Sequence, residues 1–362
     1  MIDKKEKETA YNASAGTDER QPQQKFVNNI IANSAESVNT KPLDTISMTE
    51  LYDTVYPSKK PLIEGMLYSG LYMFVGAPKT GKSFAMEQIG YHISKGFDLW
   101  GRKVIQGKVL YLALEDDYRR LQGRLYKMYD DEVSDNFFFA VKSDMLSKGL
   151  EYQLTDFIKK HKDTSLIIIE TLQKVREINN DNFSYAKDYD VISSLKKIAD
   201  DNNICIVLVH HTRKQESSDA FDGISGTNGL FGAADGAFVL HKDKRTEKNA
   251  ILDISGRDIQ EQRLHLHKNE KCIWELVEEE VDIFEETIDE VIMKAVTFIN
   301  QSDGFWSGTA TEFANSMNVE MQPNQLTRKL NCNANILESK YCIKYSNKRK
   351  KEGTFIFFEK LD

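Results

Sequence analysis

An α/β fold with a mainly parallel sheet, followed by a small α+β domain, is predicted from three observations. A short apolar run at residues 70–75 passes through a glycine-bearing loop, Gly76 to Ser83, into a segment whose Phe84, Ile89 and Ile93 have helical spacing. Further apolar runs at residues 107–115, 165–170 and 204–211 alternate with helix-like segments, the pattern of a parallel sheet with helices on both faces. After residue 290 the pattern changes to three helices and then two strands. A chain of 362 residues exceeds one average domain, which fits one large domain and one smaller one.

Residues 1–45 are rich in Lys, Glu, Asn, Gln, Ser and Thr with no periodic apolar positions, the composition of a disordered tail. Ser47 and Glu50 form a capping box that opens a short helix, which Pro57 stops. Between the apolar runs, helices are expected at residues 84–95, 118–129, 152–160 and 188–201, with a short strand at 137–141. Beyond a polar loop at 212–223 and a small-residue segment at 226–235, strands are expected at 237–241 and 250–255. Residues 264–267 and 272–277 read as a closing hairpin, so the large domain spans 46–277. The acidic stretch at 278–290 reads as a linker or as the first turn of the next helix.

Gly76, Ala77, Pro78, Lys79, Thr80, Gly81, Lys82 and Ser83 fit G-x-x-x-x-G-K-[ST] in a strand–loop–helix setting. In such a loop backbone N–H groups curl around anionic phosphates, Lys82 reaches the β- and γ-phosphates, and Ser83 holds Mg²⁺ at the helix N-terminus. ATP and Mg²⁺ are the expected ligands. Ligands of open parallel sheets gather outside the carboxyl ends of the strands. Gly76, Glu115, Glu170 and the pair His210 and His211 all fall at such ends. Taken singly, each is an ordinary turn, cap or structural histidine; four polar ends beside a phosphate loop mark a site.

The C-terminal domain, residues 291–362, reads as helices at 287–300, 309–317 and 323–336 and strands at 341–345 and 354–359, a winged helix-turn-helix. It carries ten Lys and Arg against seven Asp and Glu in an otherwise acidic chain. Lys348, Arg349, Lys350 and Lys351 lie in the wing and Arg328 and Lys329 on the third helix, where DNA phosphates would meet them. A Lys-rich hairpin tip that only confers solubility is the alternative.

The net charge of −8 and pI near 5.6 exclude a globally basic nucleic-acid coat but leave room for this local basic surface. Cys205, Cys272, Cys332 and Cys342 are scattered, suggesting neither a zinc cluster nor a disulfide framework. With no signal-peptide core and no run of eighteen apolar residues, a cytoplasmic protein without membrane contact is expected.

The ordered set of motifs resembles the RecA-like ATPases of the RepA type, the hexameric replicative helicases of plasmids and their relatives in mobile elements and phages. The likeness covers about residues 61–276. It rests on the phosphate loop, on 109–116 ending in Glu115 and Asp116, on 166–170, on 209–214, on 224–227 and on Gly256, Arg257 and Asp258. The resemblance implies that Glu115 polarises the water attacking the γ-phosphate. It makes His211, with His210 as the alternative, the sensor of that phosphate, and the following loop, with Arg213 and Lys214, a DNA contact in a ring channel. It also implies a homo-oligomeric ring, expected to be a hexamer, in which Arg257 completes a neighbour's site; a salt bridge of Arg257 to Asp258 or Asp253 is the competing reading. Arg120 and Arg124 are expected to pair with Asp116 and Asp117. The chain departs from the family at Glu170, where an Asp normally holds the Mg²⁺ water shell, and slower hydrolysis would follow.

The leading function is an ATP-driven motor acting on DNA in replication of a plasmid, phage or integrated mobile element, a DNA helicase or helicase-like protein. An ATP-switched DNA-binding regulator without unwinding is the runner-up. A metabolic phosphotransferase has no use for the C-terminal domain.

Overall fold

The computed structural model describes residues 43–56, 59, 61–176, 185–211, 221, 232–242, 244, 246–281, 288–350 and 353–361, with backbone alone for 185–188. Two units are distinguished, residues 1–55 and 56–362. In the first, helix α1 (Met48–Asp53) starts at the expected capping box: the Ser47 hydroxyl accepts the Glu50 N–H at 3.2 Å, and the Glu50 carboxylate accepts the Ser47 N–H at 3.0 Å.

In the second unit a small hairpin, β1 (Pro61–Ile63) and β2 (Leu67–Tyr68), precedes β3 (Gly70–Gly76), which feeds helix α2 (Lys82–Lys95). The chain then alternates through β4 (Lys108–Ala113), α3 (Tyr118–Tyr129), β5 (Phe137–Ala140), α4 (Leu150–Lys160) and β6 (Thr164–Glu170). The short α5 (Leu172–Val175) and α6 (Tyr185–Asn202) lead to β7 (Cys205–His211). Four further strands follow: β8 (Gly236–His241), β9 (Asn249–Gly256), β10 (Ile259–Lys268) and β11 (Trp274–Val281). All nine strands from β3 to β11 form one sheet of order β11-β10-β9-β8-β3-β7-β6-β4-β5. The six from β8 to β5 run parallel, and β9, β10 and β11 add an antiparallel meander.

The period of two along each strand splits the core. Tyr72 and Phe74 of β3 and Val207 and Val209 of β7 face Met86, Ile89 and Ile93 of α2. The intervening Leu71, Met73, Val75, Ile206 and Leu208 face Leu150, Leu154, Ile192 and Leu195 of α4 and α6. Both faces of β3 and β7 are therefore covered, which explains why their sequences are continuous apolar runs rather than alternating ones.

Two boundaries differ from expectation. Helix α2 begins at Lys82 rather than Phe84, so the lysine and serine of the loop already belong to its first turn. The closing hairpin is longer than its apolar residues suggest, and the acidic stretch expected as a linker from residue 278 begins as the exposed edge strand β11, with Glu278 and Glu279 paired to His265 and Leu264. Carboxylates on an edge strand discourage pairing with another chain, so strand structure and an acidic sequence are compatible there. The loop at 212–220, the motif at 224–227 and most of the expected N-terminal tail lie outside the described residues, as do 282–287.

The C-terminal elements are α7 (Glu290–Gln301), β12 (Phe305–Thr309), α8 (Ala310–Ser316), α9 (Pro323–Cys332), α10 (Ala334–Tyr341), β13 (Ile343–Lys350) and β14 (Gly353–Lys360). The strands form a three-stranded antiparallel sheet of order β12-β14-β13, with Phe313 of α8 stacked on Phe358 of β14 at 4.7 Å. Strand β12 has no counterpart among the expected elements, and α9 and α10 replace one expected helix. Lys348, Arg349 and Lys350, expected in a loop, are carried by β13 as exposed strand residues. Lys351 lies outside the described residues.

Candidate functional site

The loop from Gly76 to Ser83 leaves the carboxyl end of the central strand β3. At Gly76 an added Cβ would lie 2.4 Å from the Leu240 carbonyl oxygen of β8, so only glycine permits this strand spacing. Gly81 has φ of +106°, and an added Cβ there would meet the Trp274 ring at 2.7 Å. Between these glycines the loop wraps Lys82, whose ammonium donates to the carbonyls of Gly76 at 2.8 Å and Ala77 at 2.9 Å. It also lies 3.1 Å from His211 Nδ1. Burial lowers the Lys82 pKa to about 8, although the charges of Glu170 and Glu115 oppose the shift.

Parallel register brings the remaining groups to this loop. Gly76 is opposite His211 in β7, Val209 is opposite Glu170 in β6, and Glu170 is opposite Ala113 in β4. Glu170 is buried, accepting the Ser83 hydroxyl at 2.8 Å on Oε1 and the Tyr111 phenol on Oε2. Glu115, two residues past β4, accepts the Thr171 hydroxyl at 3.0 Å, and its other oxygen lies 3.8 Å from His211 Nε2. An ammonium beside Nδ1 needs the ring's lone pair there. That leaves the ring proton on Nε2, facing Glu115, and links Lys82, His211 and Glu115 in one chain of contacts. His210 is buried in β7, so His211 is the member of the pair at the site.

Ser83 and Glu170 supply hard oxygen donors of the kind Mg²⁺ takes with substrate phosphates, so the residues fit that ion. No cluster of three or more His, Cys, Asp or Glu among the described residues offers an alternative metal cage.

Three neighbours carry no signal of their own in the sequence. Tyr111 reads there as one apolar position of a strand and Thr171 as an ordinary polar residue after one, because their roles come from register. Trp274 of β11 holds the loop from the other side: Gln88 of α2 bonds its backbone N–H and carbonyl at 2.8 Å each, and Trp100 Nε1 donates to the same carbonyl at 2.8 Å.

The other residues singled out in the sequence are expected outside this chain's own phosphate site. Arg257 lies at the turn after β9, at the opposite sheet edge from Gly76, and donates to the Gly232 carbonyl at 2.7 Å. Its two expected carboxylate partners are engaged elsewhere, Asp253 by Arg263 and His241, and Asp258 by Lys59. Arg120 and Arg124 both pair with Asp116, as expected, but Asp117 instead caps α3 by accepting the Arg120 N–H at 2.8 Å. Lys329 is paired with Asp289, so its charge is partly used within the C-terminal region. Arg213 and Lys214 lie outside the described residues. No helix among the described residues is long and apolar enough to cross a membrane.

A family model described as an AAA domain matches residues 37–217, half of the chain, a stretch that contains Lys82, Ser83, Glu115, Glu170 and His211. Among solved structures, a DnaB-like replicative helicase, described with its interactions with primase, is 13% identical, with a TM-score of 0.51. The match covers 71% of this chain and 72% of that one. Another solved ATPase domain is 13% identical over 58% of this chain and 85% of its own, with a TM-score of 0.49. A KaiC-like protein from Pyrococcus horikoshii is 15% identical over 62% and 99%, with a TM-score of 0.44. No curated protein matches the sequence. The likeness to the DnaB-like helicase, together with the mainly parallel sheet, makes the fold that of RecA-like helicase ATPase domains.

Proposed function

The chain belongs to the AAA domain family, and from that premise we propose that it is an ATP-hydrolysing motor that acts on DNA, a helicase-like protein of a plasmid, phage or integrated mobile element. The observation that carries this reading is the meeting of Lys82, Ser83, Glu115, Glu170 and His211 at one sheet edge around the phosphate loop.

In this reading Lys82 exchanges its contacts with the loop carbonyls for the β- and γ-phosphates of ATP. Ser83 and Glu170 hold Mg²⁺, which when bound neutralises charge on the phosphate chain. Glu115, kept in place by Thr171, orients a water for in-line attack; phosphoryl transfer needs such positioning more than covalent chemistry. His211 touches both Lys82 and Glu115, so loss of the γ-phosphate changes its contacts, and it begins the segment that includes Arg213 and Lys214. Arg257 acts only on a neighbouring copy in a ring, because its own chain places it away from the loop.

The C-terminal helices and three-stranded sheet support the winged helix-turn-helix reading, and exposed Lys348, Arg349 and Lys350 on β13 support contact with DNA phosphates. A forked DNA duplex incubated with the purified protein tests the reading. ATP-dependent release of one strand, absent without ATP, is expected. ATP hydrolysis without release favours the ATP-switched regulator, and no hydrolysis overturns the motor.

A further inference from the structure

Two lysines reach the phosphate loop from the side away from Glu115, Glu170 and His211. Lys242 follows β8, and Lys268 ends β10. Strand β9 is antiparallel to both β8 and β10, so β10 points the same way as β8, and both lysines come to the sheet edge that carries Gly76. Their ammonium groups lie 5.1 and 5.7 Å from the centroid of the Trp274 ring, the ring that abuts Gly81. Lys268 also lies 5.3 Å from the ring of Phe84, the residue that follows Ser83 in α2.

These cations are arranged for something other than each other. Lys242 donates to the Glu247 carbonyl at 2.8 Å, and among the described residues neither lysine is in an ion pair with a carboxylate. Aromatic faces stabilise a cation without cancelling its charge. Burial and then the charge of Lys268 hold the Lys242 pKa below the usual lysine range, as expected for like charges sharing a partly buried place. An anion between them would relieve both effects.

Sheet order says which anion. Strand β3 lies between β7 and β8. Glu115, Glu170 and His211 are all on the β7 side, while Lys242, Lys268 and Trp274 are all on the β8 side. A phosphate chain held in the loop with its terminal phosphate toward the carboxylates therefore directs its other end toward the lysines. We propose that Lys242 and Lys268, backed by Trp274 and Phe84, form the α-phosphate subsite of the bound nucleoside triphosphate, so that the nucleoside leaves the loop over the β8–β11 side.

The inference rests on the phosphate-loop reading, and the test separates the two. Dissociation constants for ADP and ATP are measured by displacement of a fluorescent nucleotide from the full chain, for wild type, the double variants Lys242→Gln with Lys268→Gln and Lys242→Arg with Lys268→Arg, and Lys82→Ala. The α-phosphate is common to both nucleotides. The Gln pair is therefore expected to weaken ADP and ATP by the same factor, tenfold or more, in the range of about 1.5–3 kcal/mol for a charged hydrogen bond. The Arg pair is expected to retain affinity within about threefold, since the charge is kept. Unchanged ADP affinity in a folded Gln pair overturns the subsite. Weakening confined to ATP also overturns it, by moving the lysines to the γ-phosphate end. Wild type that binds neither nucleotide, or Lys82→Ala that binds both as well as wild type, overturns the phosphate-loop reading and the subsite with it.

Discussion

Ser83 and Glu170 are joined directly: the hydroxyl of the first turn of α2 donates to the carboxylate at the end of β6 at 2.8 Å. The second carboxylate oxygen takes the phenol of Tyr111, which is fully buried. Glu170 thus spans a distance fixed on both sides. Glu170→Asp withdraws the carboxylate by one methylene and leaves the Tyr111 hydroxyl without its acceptor, which costs about 1–3 kcal/mol. A fall in thermal midpoint is expected, together with weaker Mg²⁺-dependent ATP turnover, the reverse of the slower hydrolysis that the sequence alone attaches to Glu170. An unchanged midpoint would show that aspartate can be accommodated and that the longer side chain has no structural reason.

Glu87 of α2 is buried beneath the same site, with Arg124 Nη2 2.7 Å from its Oε1. Burial raises its pKa to about 8; Arg124 opposes the shift, and the charges of Glu170 and Asp116 add to it. The folded value lies above the unfolded one, so this group's contribution to stability is full below pH 4.5 and is lost as pH rises through about 8. Glu87→Gln removes the titration. Unfolding free energies of wild type and variant compared from pH 5 to pH 9 should diverge, wild type losing more; parallel curves would mean that Glu87 is ionised throughout, held by Arg124.

Gly81→Ala strains the left-handed backbone at φ of +106° and drives a methyl into the Trp274 ring. Strain of this kind costs about 1–3 kcal/mol. Nucleotide affinity should fall along with stability, because the same residue shapes the loop. Retained affinity in a calorimetric titration would show that the Trp274 contact yields without disturbing phosphate binding.

On β13, reversing the charge of Arg349 to Glu should weaken DNA binding in a fluorescence-anisotropy titration and reduce its salt dependence by about one counterion. Lys350 lies 4.0 Å from the Phe355 ring centroid, so its charge is anchored on the sheet, and Lys350→Glu should act in the same direction. Affinity and salt slope unchanged in both variants would place the DNA contact elsewhere on the chain.

The alternating strands and helices were legible because β3, β4, β6 and β7 are buried on both faces and had to be written as apolar runs. The phosphate loop, Glu115 and Glu170 were legible because strand ends are where such sheets place polar groups. The pairings that fix these groups were not. Tyr111 meets Glu170, and Trp274 meets Gly81, only through strand register and over separations of 59 and 193 residues. Arg257 is expected to serve a neighbour's site, and the antiparallel turn of β9 into β10 keeps it at the far end of the sheet from its own phosphate loop. The length of β11 was hidden for another reason, since its carboxylates face outward from an edge and leave no apolar periodicity.

Phosphate release from ATP by the purified chain, with Lys82→Ala and Glu115→Gln measured beside it, tests most directly whether the phosphate loop and Glu115 hydrolyse ATP. Wild type is expected to show Mg²⁺-dependent turnover, both variants to lose about a hundredfold or more, and Glu115→Gln, unlike Lys82→Ala, to keep nucleotide binding. Equal turnover in wild type and Lys82→Ala would contradict the phosphate-loop reading.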